Sequence, residues 1–238
     1  MTINKVEANS RGKADFGWLQ ANFSFSFGNY NNPKRIQFGA LRVLNDDTIA
    51  AGMGFGTHPH DNMEIITIPL EGGLQHRDSM GNQATVSFGE AQVMSAGSGI
   101  QHSEINPSKT DKAQTLQLWI FSEENNVEPR YDQKSFEIEK QKNNFVTVVS
   151  PYDKVVLNSL WIYQQAFLSL GIFDASYTIN YTINIPKNGV YLFLIDGEIE
   201  VNKTTLCKRD ALEITDFENF TVNIIKKATI LLIEVPMQ

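Results

Sequence analysis

Residues 54–60 read Gly-Phe-Gly-Thr-His-Pro-His, and this stretch decides both the fold and the chemistry of the chain. Side chains alternate across a β-strand, so His58 and His60 point to the same side if the segment is extended. Pro59 favours the extended form, because a proline disfavours helical backbone at the residue before it. The stretch therefore predicts a strand that carries two imidazoles on one face.

The other histidines lie in the same half of the sequence. The chain has four histidines, and the remaining two are His76 and His102. Glu104 follows His102 at the same two-residue spacing, so a second strand could present two more donors. Three neutral imidazoles and a carboxylate suit Fe(II), Mn(II), Ni(II), Cu(II) or Zn(II). A lone His-x-His pair is more often two surface or turn histidines, but the second pair and the flanking glycines favour a metal site.

Composition excludes several classes of function. The 238 residues carry a net charge of −7, which argues against broad phosphate-driven binding of nucleic acid. Cys207 is the single cysteine, so no intrachain disulfide can form. No apolar run approaches the ~18 residues of a membrane span, and the N-terminus has no apolar signal core. We therefore expect a cytoplasmic protein without direct contact to membrane or nucleic acid.

Short apolar runs separated by Gly, Asn, Asp and Pro dominate the chain, and no long segment has a helical period. This pattern is typical of an all-β sandwich or barrel. The runs lie at residues 63–70, 91–94, 116–121, 191–195, 211–214, 221–225 and 230–235.

A weak internal repeat indicates two copies of one β unit. The segments 70–74 and 89–94 resemble the later segments 195–199 and 209–214, each with an acid-Gly turn after a strand. A polar stretch between residues 125 and 145 is the best linker candidate. We predict an N-terminal metal-binding domain at residues 1–135 and a C-terminal domain without metal ligands at residues 136–238.

The stretch from Gly52 to Glu64 resembles the first cupin motif, Gly-x5-His-x-His-x3-Glu. The second motif is looser, with His102-x3-Asn106 in place and Ser95 where a proline is usual. Cupins are small β-barrels that hold a metal ion inside the barrel.

The match is sharper to the pirin family, and it extends from about Arg11 to Pro236. The blocks that carry this resemblance are residues 25–27, 38–47, 54–60, 63–65, 76–82 and 96–104. It implies a bicupin, two cupin barrels of the double-stranded β-helix or jelly-roll type. The length is similar to that of short bacterial members, some of which are quercetin 2,3-dioxygenases.

The resemblance implies His58, His60, His102 and Glu104 as ligands of one divalent transition metal ion. Fe(II) is the first expectation, with Mn, Ni, Cu or Zn as alternatives. This moves the carboxylate ligand from Glu64, its position in an ordinary cupin, to Glu104. Because Glu64 shares the strand parity of His58 and His60, we expect it to orient an imidazole from behind.

Four further sets of residues have simpler interpretations. His76 lies in a polar stretch, where we expect a turn and a supporting or rim residue. Arg42, Asp46 and Asp47 are interpreted as an Arg–Asp pair that ties strands together. The alternating Phe23, Phe25 and Phe27 predict a core-facing strand. Phe55, Met94 and Ile100 flank the motifs and are candidates for an apolar pocket.

Two functions are compatible with these residues. The first is a metal-dependent dioxygenase that acts on a small planar aromatic, flavonol-like substrate and O2, with Glu104 accepting the substrate hydroxyl proton and carbon monoxide released. The alternative is a non-enzymatic iron- or redox-sensing regulator that acts through protein partners. The dioxygenase needs a cavity for a planar polycyclic ligand, whereas the sensor does not.

Overall fold

The computed structural model describes residues 1–237, which form twenty strands and two single-turn 3₁₀ helices, Ala8–Ser10 and Ile138–Lys140. The all-β prediction is confirmed. The strands are β1 (Thr2–Val6), β2 (Gly12–Asp15), β3 (Leu19–Phe23), β4 (Leu41–Ile49), β5 (Gly54–His60), β6 (Met63–Glu71), β7 (Gly73–Asp78), β8 (Gln83–Ser87), β9 (Glu90–Ser95), β10 (Ile100–Ile105), β11 (Ala113–Phe121), β12 (Arg130–Ser135), β13 (Val146–Pro151), β14 (Leu160–Ile162), β15 (Phe167–Phe173), β16 (Thr178–Thr182), β17 (Asn188–Val201), β18 (Thr204–Cys207), β19 (Ala211–Thr215) and β20 (Asn219–Pro236). No helix in this range is long and apolar enough to cross a membrane.

The N-terminal part consists of two facing sheets. The larger has the order β12-β9-β6-β11-β4-β3-β2, and the smaller has the order β5-β10-β7-β8. Aromatic contacts join the two inner faces: the rings of Trp18 and Phe55 lie 5.5 Å apart, and those of His60 and Trp119 lie 4.8 Å apart. The predicted histidine strands β5 and β10 are therefore neighbours in one sheet that faces the larger one.

Strand β6 has both faces buried, which explains its nearly continuous apolar sequence. Ile65 packs inside the N-terminal barrel, whereas Ile66 and Ile68 belong to a core cluster shared with the C-terminal part. The larger sheet thus lines the barrel with one face and packs on the second half of the molecule with the other.

The C-terminal part is one nine-stranded sheet, in which the long strands β17 and β20 pair along most of their length. Register shifts between Leu194 and Ile199 mark irregular pairing of these two strands. The inside of this barrel is filled with apolar side chains, among them Phe173, Leu192 and Leu232. Within residues 1–237, both groups of side chains that could hold a metal ion lie in the N-terminal barrel.

The pairing of strands can be compared with the predicted domain boundary near residue 135. Strands β2 to β12 form the two N-terminal sheets, and β13 to β20 form the C-terminal sheet. The exception is β1, which pairs with β19 through contacts from Thr2↔Thr215 to Val6↔Ala211. We keep the boundary as a proposal, with the first strand assigned to the C-terminal barrel.

The largest core cluster lies between the two barrels. Leu116 and Leu118 on the outer face of β11 belong to it together with Tyr191 and Ile233 of the C-terminal sheet. A charged contact reinforces this interface, because Asp46 pairs with Arg11 at 3.3 Å and with Arg209 at 3.0 Å. The predicted pairing of Arg42 with Asp46 or Asp47 is wrong, because Arg42 donates instead to the backbone carbonyl oxygens of Ser26 and Ile36.

Replacing Leu118, which is fully buried at this interface, should destabilise the protein strongly. We expect Leu118→Ala to lower the free energy of unfolding by about 2–5 kcal/mol, because it removes buried methyl groups and leaves a cavity. Chemical denaturation measures the effect, with Leu157→Ala as the control because Leu157 is 87% exposed. Equal losses in the two variants would contradict the interface core.

Candidate metal centre and its cavity

Strands β5 and β10 bring three imidazoles together. In their antiparallel pairing His58 lies opposite His102 and His60 lies opposite Ile100. The ring centroids are 4.5 Å apart for His58 and His102, 4.8 Å for His58 and His60, and 5.0 Å for His60 and His102. The predicted histidine ligands therefore form one compact group, whose nitrogen atoms can converge on a single ion.

Local backbone geometry shapes this group. The register of β5 and β10 shifts between His102 and Glu104, so β5 contains one extra residue there. The carbonyl oxygen of Gly56, within this irregularity, lies 2.7 Å from Nδ1 of His58, which leaves Nε2 to face the other rings. Gly54 must be a glycine, because a Cβ atom there would collide with the backbone of Glu104 and Ile105.

The chemistry of the nitrogens fits a divalent metal ion. Nε2 of His60 and both ring nitrogens of His102 are buried and have no hydrogen-bond partner in the described part of the chain. Burial, followed by the charge of His58, lowers the pKa of His60 to about 4 and that of His102 to about 3. These two imidazoles are neutral at physiological pH, which is the form that binds a metal ion.

Glu104 occupies the next inward-facing position of β10 and belongs, with His76 and His102, to a second group of potential metal ligands. It is fully buried, and its carboxylate accepts hydrogen bonds from Thr67, Gln92 and Gln117. Burial raises the pKa of Glu104, and the hydrogen bonds from Thr67 and Gln117 oppose that rise. A carboxylate has about four acceptor positions, so three donors leave one for a metal ion or a proton.

The three donors belong to a row of polar side chains that crosses the larger sheet. Cross-strand pairing places Asn45 next to Gln117, Gln117 next to Thr67, and Thr67 next to Gln92. Trp119 fixes the amide of Gln117, because its Nε1 donates to Gln117 Oε1 at 3.1 Å. Glu104 thus reaches from the smaller sheet onto a prearranged line of donors on the larger one.

His76 lies closer to this centre than the sequence predicted. It is fully buried within β7 rather than in a turn, and it pairs across the sheet with Glu104. Its Nε2 lies 3.1 Å from Asp78 Oδ2, and its ring stacks on Tyr131 with centroids 4.3 Å apart. The second group of potential ligands consists of His76, His102 and Glu104. We therefore propose that His76 supports the metal centre from this position.

Glu64 does not lie with the histidines. Its carboxylate accepts a hydrogen bond from Ser95 Oγ at 2.6 Å. Alternation along β6 directs Thr67 towards Glu104 and Glu64 to the opposite face. The expectation that Glu64 orients an imidazole is therefore wrong, because it faces the interface between the barrels.

A cavity of about 750 Å³ opens onto the histidine group between β2, β3, β4 and β5. This volume is within the range of small-molecule sites. Aromatic side chains dominate its wall: Phe16, Trp18, Phe23, Phe27, Tyr30, Phe55 and Trp119. The polar residues that line it are Asn45, Asp47, His58, Glu104 and Gln117, together with Lys13, Asp15 and Asn29.

Several sequence expectations change at this cavity. Of the proposed pocket residues, Phe55 lines it, whereas Met94 and Ile100 pack in a separate core cluster. Phe23 and Phe27 line the cavity, but Phe25 packs between the barrels. Sequence analysis missed Asn45 and assigned Asp47 to an Arg–Asp pair, although the two-residue spacing of Asn45 and Asp47 on a strand could have indicated a shared face.

Comparisons with known proteins agree with this architecture. Residues 5–120 match the family model of pirin, and residues 147–235 match that of the quercetinase C-terminal cupin domain. A quercetin 2,3-dioxygenase of Escherichia coli K12 is 40% identical over 230 residues, which cover 97% of each chain. The crystal structure of YhhW from Escherichia coli superposes with a TM-score of 0.94, at 39% identity over 100% of this chain and 99% of that one. A structure of bacterial pirin YhhW in complex with nickel(II) gives a TM-score of 0.93, at 38% identity with full coverage of both chains. These matches confirm the prediction of two cupin-type barrels.

Removing one donor to Glu104 should weaken metal binding. We expect Gln92→Met to lower the affinity for Ni(II) by about 10- to 100-fold, because supporting hydrogen bonds hold the ligand carboxylate in place. Competition with a chromogenic chelator measures the affinity. Gln101→Met is the matched control, since Gln101 is exposed on the same strand as Glu104. Unchanged affinity in Gln92→Met would show that the polar row does not support the centre.

The buried carboxyl of Glu64 should make stability depend on pH. Burial raises the pKa of Glu64 from 4.5 to about 7, so the native state holds this proton more tightly than the unfolded chain. The contribution of Glu64 to stability is therefore present below about pH 4.5 and is lost as the pH rises through about 7. Glu64→Gln should gain on the order of 3 kcal/mol relative to the wild type over that interval.

Denaturation curves between pH 4.5 and pH 8 measure this difference, and Glu218→Gln is the control because Glu218 is exposed. A difference between Glu64→Gln and the wild type that stays constant with pH would contradict the raised pKa of Glu64.

Proposed function

The chain belongs to the pirin family, and on that premise we propose that it is a metal-dependent flavonol 2,3-dioxygenase of the quercetinase type. The observation that carries this proposal is the aromatic cavity of about 750 Å³ that opens onto the histidine group. A planar polycyclic substrate needs such a slot beside the metal ion, whereas a regulator that only senses the metal ion or its redox state does not need one.

His58, His60, His102 and Glu104 would hold the ion. The orphaned nitrogens of His60 and His102 support this assignment, as does the remaining acceptor position of Glu104. A bound divalent metal ion acts as a Lewis acid that lowers the pKa of a coordinated hydroxyl group. We propose Fe(II) as the native ion. The donor set also accommodates Mn, Ni, Cu or Zn, and the related pirin YhhW has been crystallised with nickel(II).

The cavity walls position the substrate. The ring of Phe27 contacts those of Phe23 and Trp119, with centroids 5.5 Å apart for Phe23 and 5.3 Å apart for Trp119. Flat rings of a flavonol would pack against these faces, which also exclude water from the reacting carbon atoms. Trp119 additionally touches His60, so the same ring links the substrate wall to the metal ligands.

Glu104 has the proposed catalytic role in proton transfer. It lines both the histidine group and the cavity, so a substrate hydroxyl beside the imidazoles would lie within its reach. Glu104 would accept the proton of that hydroxyl group at the acceptor position through which it otherwise holds the ion, which leaves the flavonol as its electron-rich anion. The overall reaction then consumes one O2 per flavonol and gives a depside and carbon monoxide.

Quercetin turnover tests this function. Protein reconstituted without oxygen with Fe(II), Mn(II), Ni(II) or Cu(II) is mixed with quercetin and air, and flavonol absorbance is followed together with carbon monoxide release. We expect turnover with at least one metal. His58→Ala should lose more than the roughly 100-fold that removal of a supporting residue costs, because it removes a ligand itself.

Gln101→Ala is the matched control, since Gln101 is an exposed neighbour of His102. Full metal occupancy without oxygen consumption would reject the dioxygenase. That outcome would leave the regulatory alternative, for which a metal-dependent, stoichiometric protein partner would be the evidence.

A further inference from the structure

Two buried polar residues on the cavity wall take no part in metal binding or in the proposed proton transfer. Asn45 and Asp47 lie two residues apart on β4, so both side chains point from the same face. Both line the cavity, and each is only 3% exposed. Their strand neighbour Asp46 points the other way, to the arginines at the interface between the barrels.

The oxygen atoms of these two side chains lack partners. Within residues 1–237, neither Oδ1 of Asn45 nor Oδ1 of Asp47 accepts a hydrogen bond. Glu234 offers a contrast, because this equally buried carboxylate accepts bonds from Tyr181, Asn184, Ile185 and Asn188. An unsatisfied buried polar atom is costly, so its presence in a cavity wall indicates that an occupant of the cavity supplies the partner.

The chemistry of the pair suits a hydroxyl group. Burial, then the nearby charges of Asp46 and Glu104, raises the pKa of Asp47 to about 8, so its carboxyl is largely protonated at neutral pH. A protonated carboxyl donates one hydrogen bond, and the Oδ1 atom of Asn45 accepts one. A phenolic hydroxyl can accept the first and donate the second, whereas an apolar ring edge can do neither.

We propose that Asn45 and Asp47 bind a phenolic hydroxyl group of the substrate other than the one in its hydroxy-ketone, and thereby select polyhydroxylated flavonols. This inference rests on the proposed function, because it takes a flavonol as the occupant of the cavity. It adds a recognition site on the wall formed by β3 and β4, apart from the metal ligands. A site built around a hydroxyl group rejects an analogue that lacks it, since its polar atoms are then left unpaired.

Binding measured without oxygen tests the pair separately from catalysis. The protein is loaded with Ni(II) and titrated with quercetin or with 3-hydroxyflavone, which has no other hydroxyl group. Quenching of tryptophan fluorescence reports binding, because Trp18 and Trp119 line the cavity. The wild type should prefer quercetin by at least about tenfold, the ratio that corresponds to a hydrogen bond of about 1.4 kcal/mol.

Variants of position 47 identify the cause of that preference. Asp47→Leu should lower the preference to less than about threefold by weakening quercetin binding alone, because it removes the polar group. Asp47→Asn should keep most of the preference, since its amide still donates. Asp47→Leu should also unfold at an equal or higher denaturant concentration than the wild type, whereas a carboxyl with a purely structural role would give a loss. Asp153→Leu is the control, because Asp153 is exposed on the C-terminal barrel.

Two outcomes would overturn the inference. One is a wild type that binds quercetin and 3-hydroxyflavone equally. The other is an Asp47→Leu variant that keeps the wild-type ratio. If the wild type binds flavonols with the expected ratio but consumes no O2, the proposed reaction fails while the recognition by Asn45 and Asp47 stands. Galangin and kaempferol, which differ from quercetin in the hydroxyl groups of one ring, then show which ring contacts the pair.

Discussion

The site depends on one buried contact, between the carboxylate of Glu104 and the polar row on the opposite sheet. A carboxylate without water is strongly disfavoured unless donors surround it. Thr67, Gln92 and Gln117 provide these donors from three different strands, so the contact is possible in one register of β6, β9 and β11 only. A slip of one residue in any of the three would turn its donor to the opposite face of the sheet. The position of the fourth predicted ligand is therefore set by the pairing of the larger sheet, although Glu104 itself belongs to the smaller one.

The C-terminal barrel contributes to this constraint from behind. The outer faces of β6 and β11 are apolar, and they pack against the second barrel through residues such as Ile66, Leu118 and Ile233. Burying both faces of the larger sheet fixes its registers, because a shifted strand would expose its outer residues as well as misplace its inner ones. The second barrel, whose own interior is filled by apolar side chains, thus supports a metal centre to which it gives no ligand. In its separate polar cluster, both oxygens of the buried Glu234 carboxylate accept hydrogen bonds from neighbouring residues.

The sequence was sufficient for those parts of the site that depend on local spacing. The two-residue period of β5 and β10 predicts that His58, His60 and His102 lie together, and the structure brings the centroids of their three rings within 5.0 Å of one another. The same period places Glu104 beside His102, with which it belongs to a second group of potential ligands. The wrong predictions concern residues that a turn or a change of sheet separates from the histidine pairs. Glu64 was predicted to point to the same side as His58 because the two residues are an even number of positions apart. However, a turn with left-handed backbone at Asn62 separates β5 from β6, and the two strands lie in different sheets. Side-chain direction cannot be counted across such a turn, because each strand alternates independently of the one before it. His76 was read as part of a turn because of its polar neighbours, although those side chains surround the buried pair that it forms with Asp78.

Three buried carboxyls of this protein, Glu234, Glu104 and Asp47, differ in the number of hydrogen-bond donors around them. Glu234 accepts hydrogen bonds on both oxygens, as expected for a group that only holds the fold together. Glu104 is nearly as well surrounded but keeps one acceptor position, and Asp47 has an oxygen with no partner among the described residues. Each unsatisfied atom costs about 1–3 kcal/mol, and a fold can tolerate this cost where a substrate supplies the missing partner. Among these three carboxyls the number of donors decreases from Glu234 in the second barrel to Glu104 and then to Asp47 in the cavity wall. Glu64 also has an oxygen without a partner among the described residues, but it does not line the cavity. The fold alone is shared by proteins with other activities, so the unsatisfied groups within the aromatic cavity carry more functional information than the two barrels do.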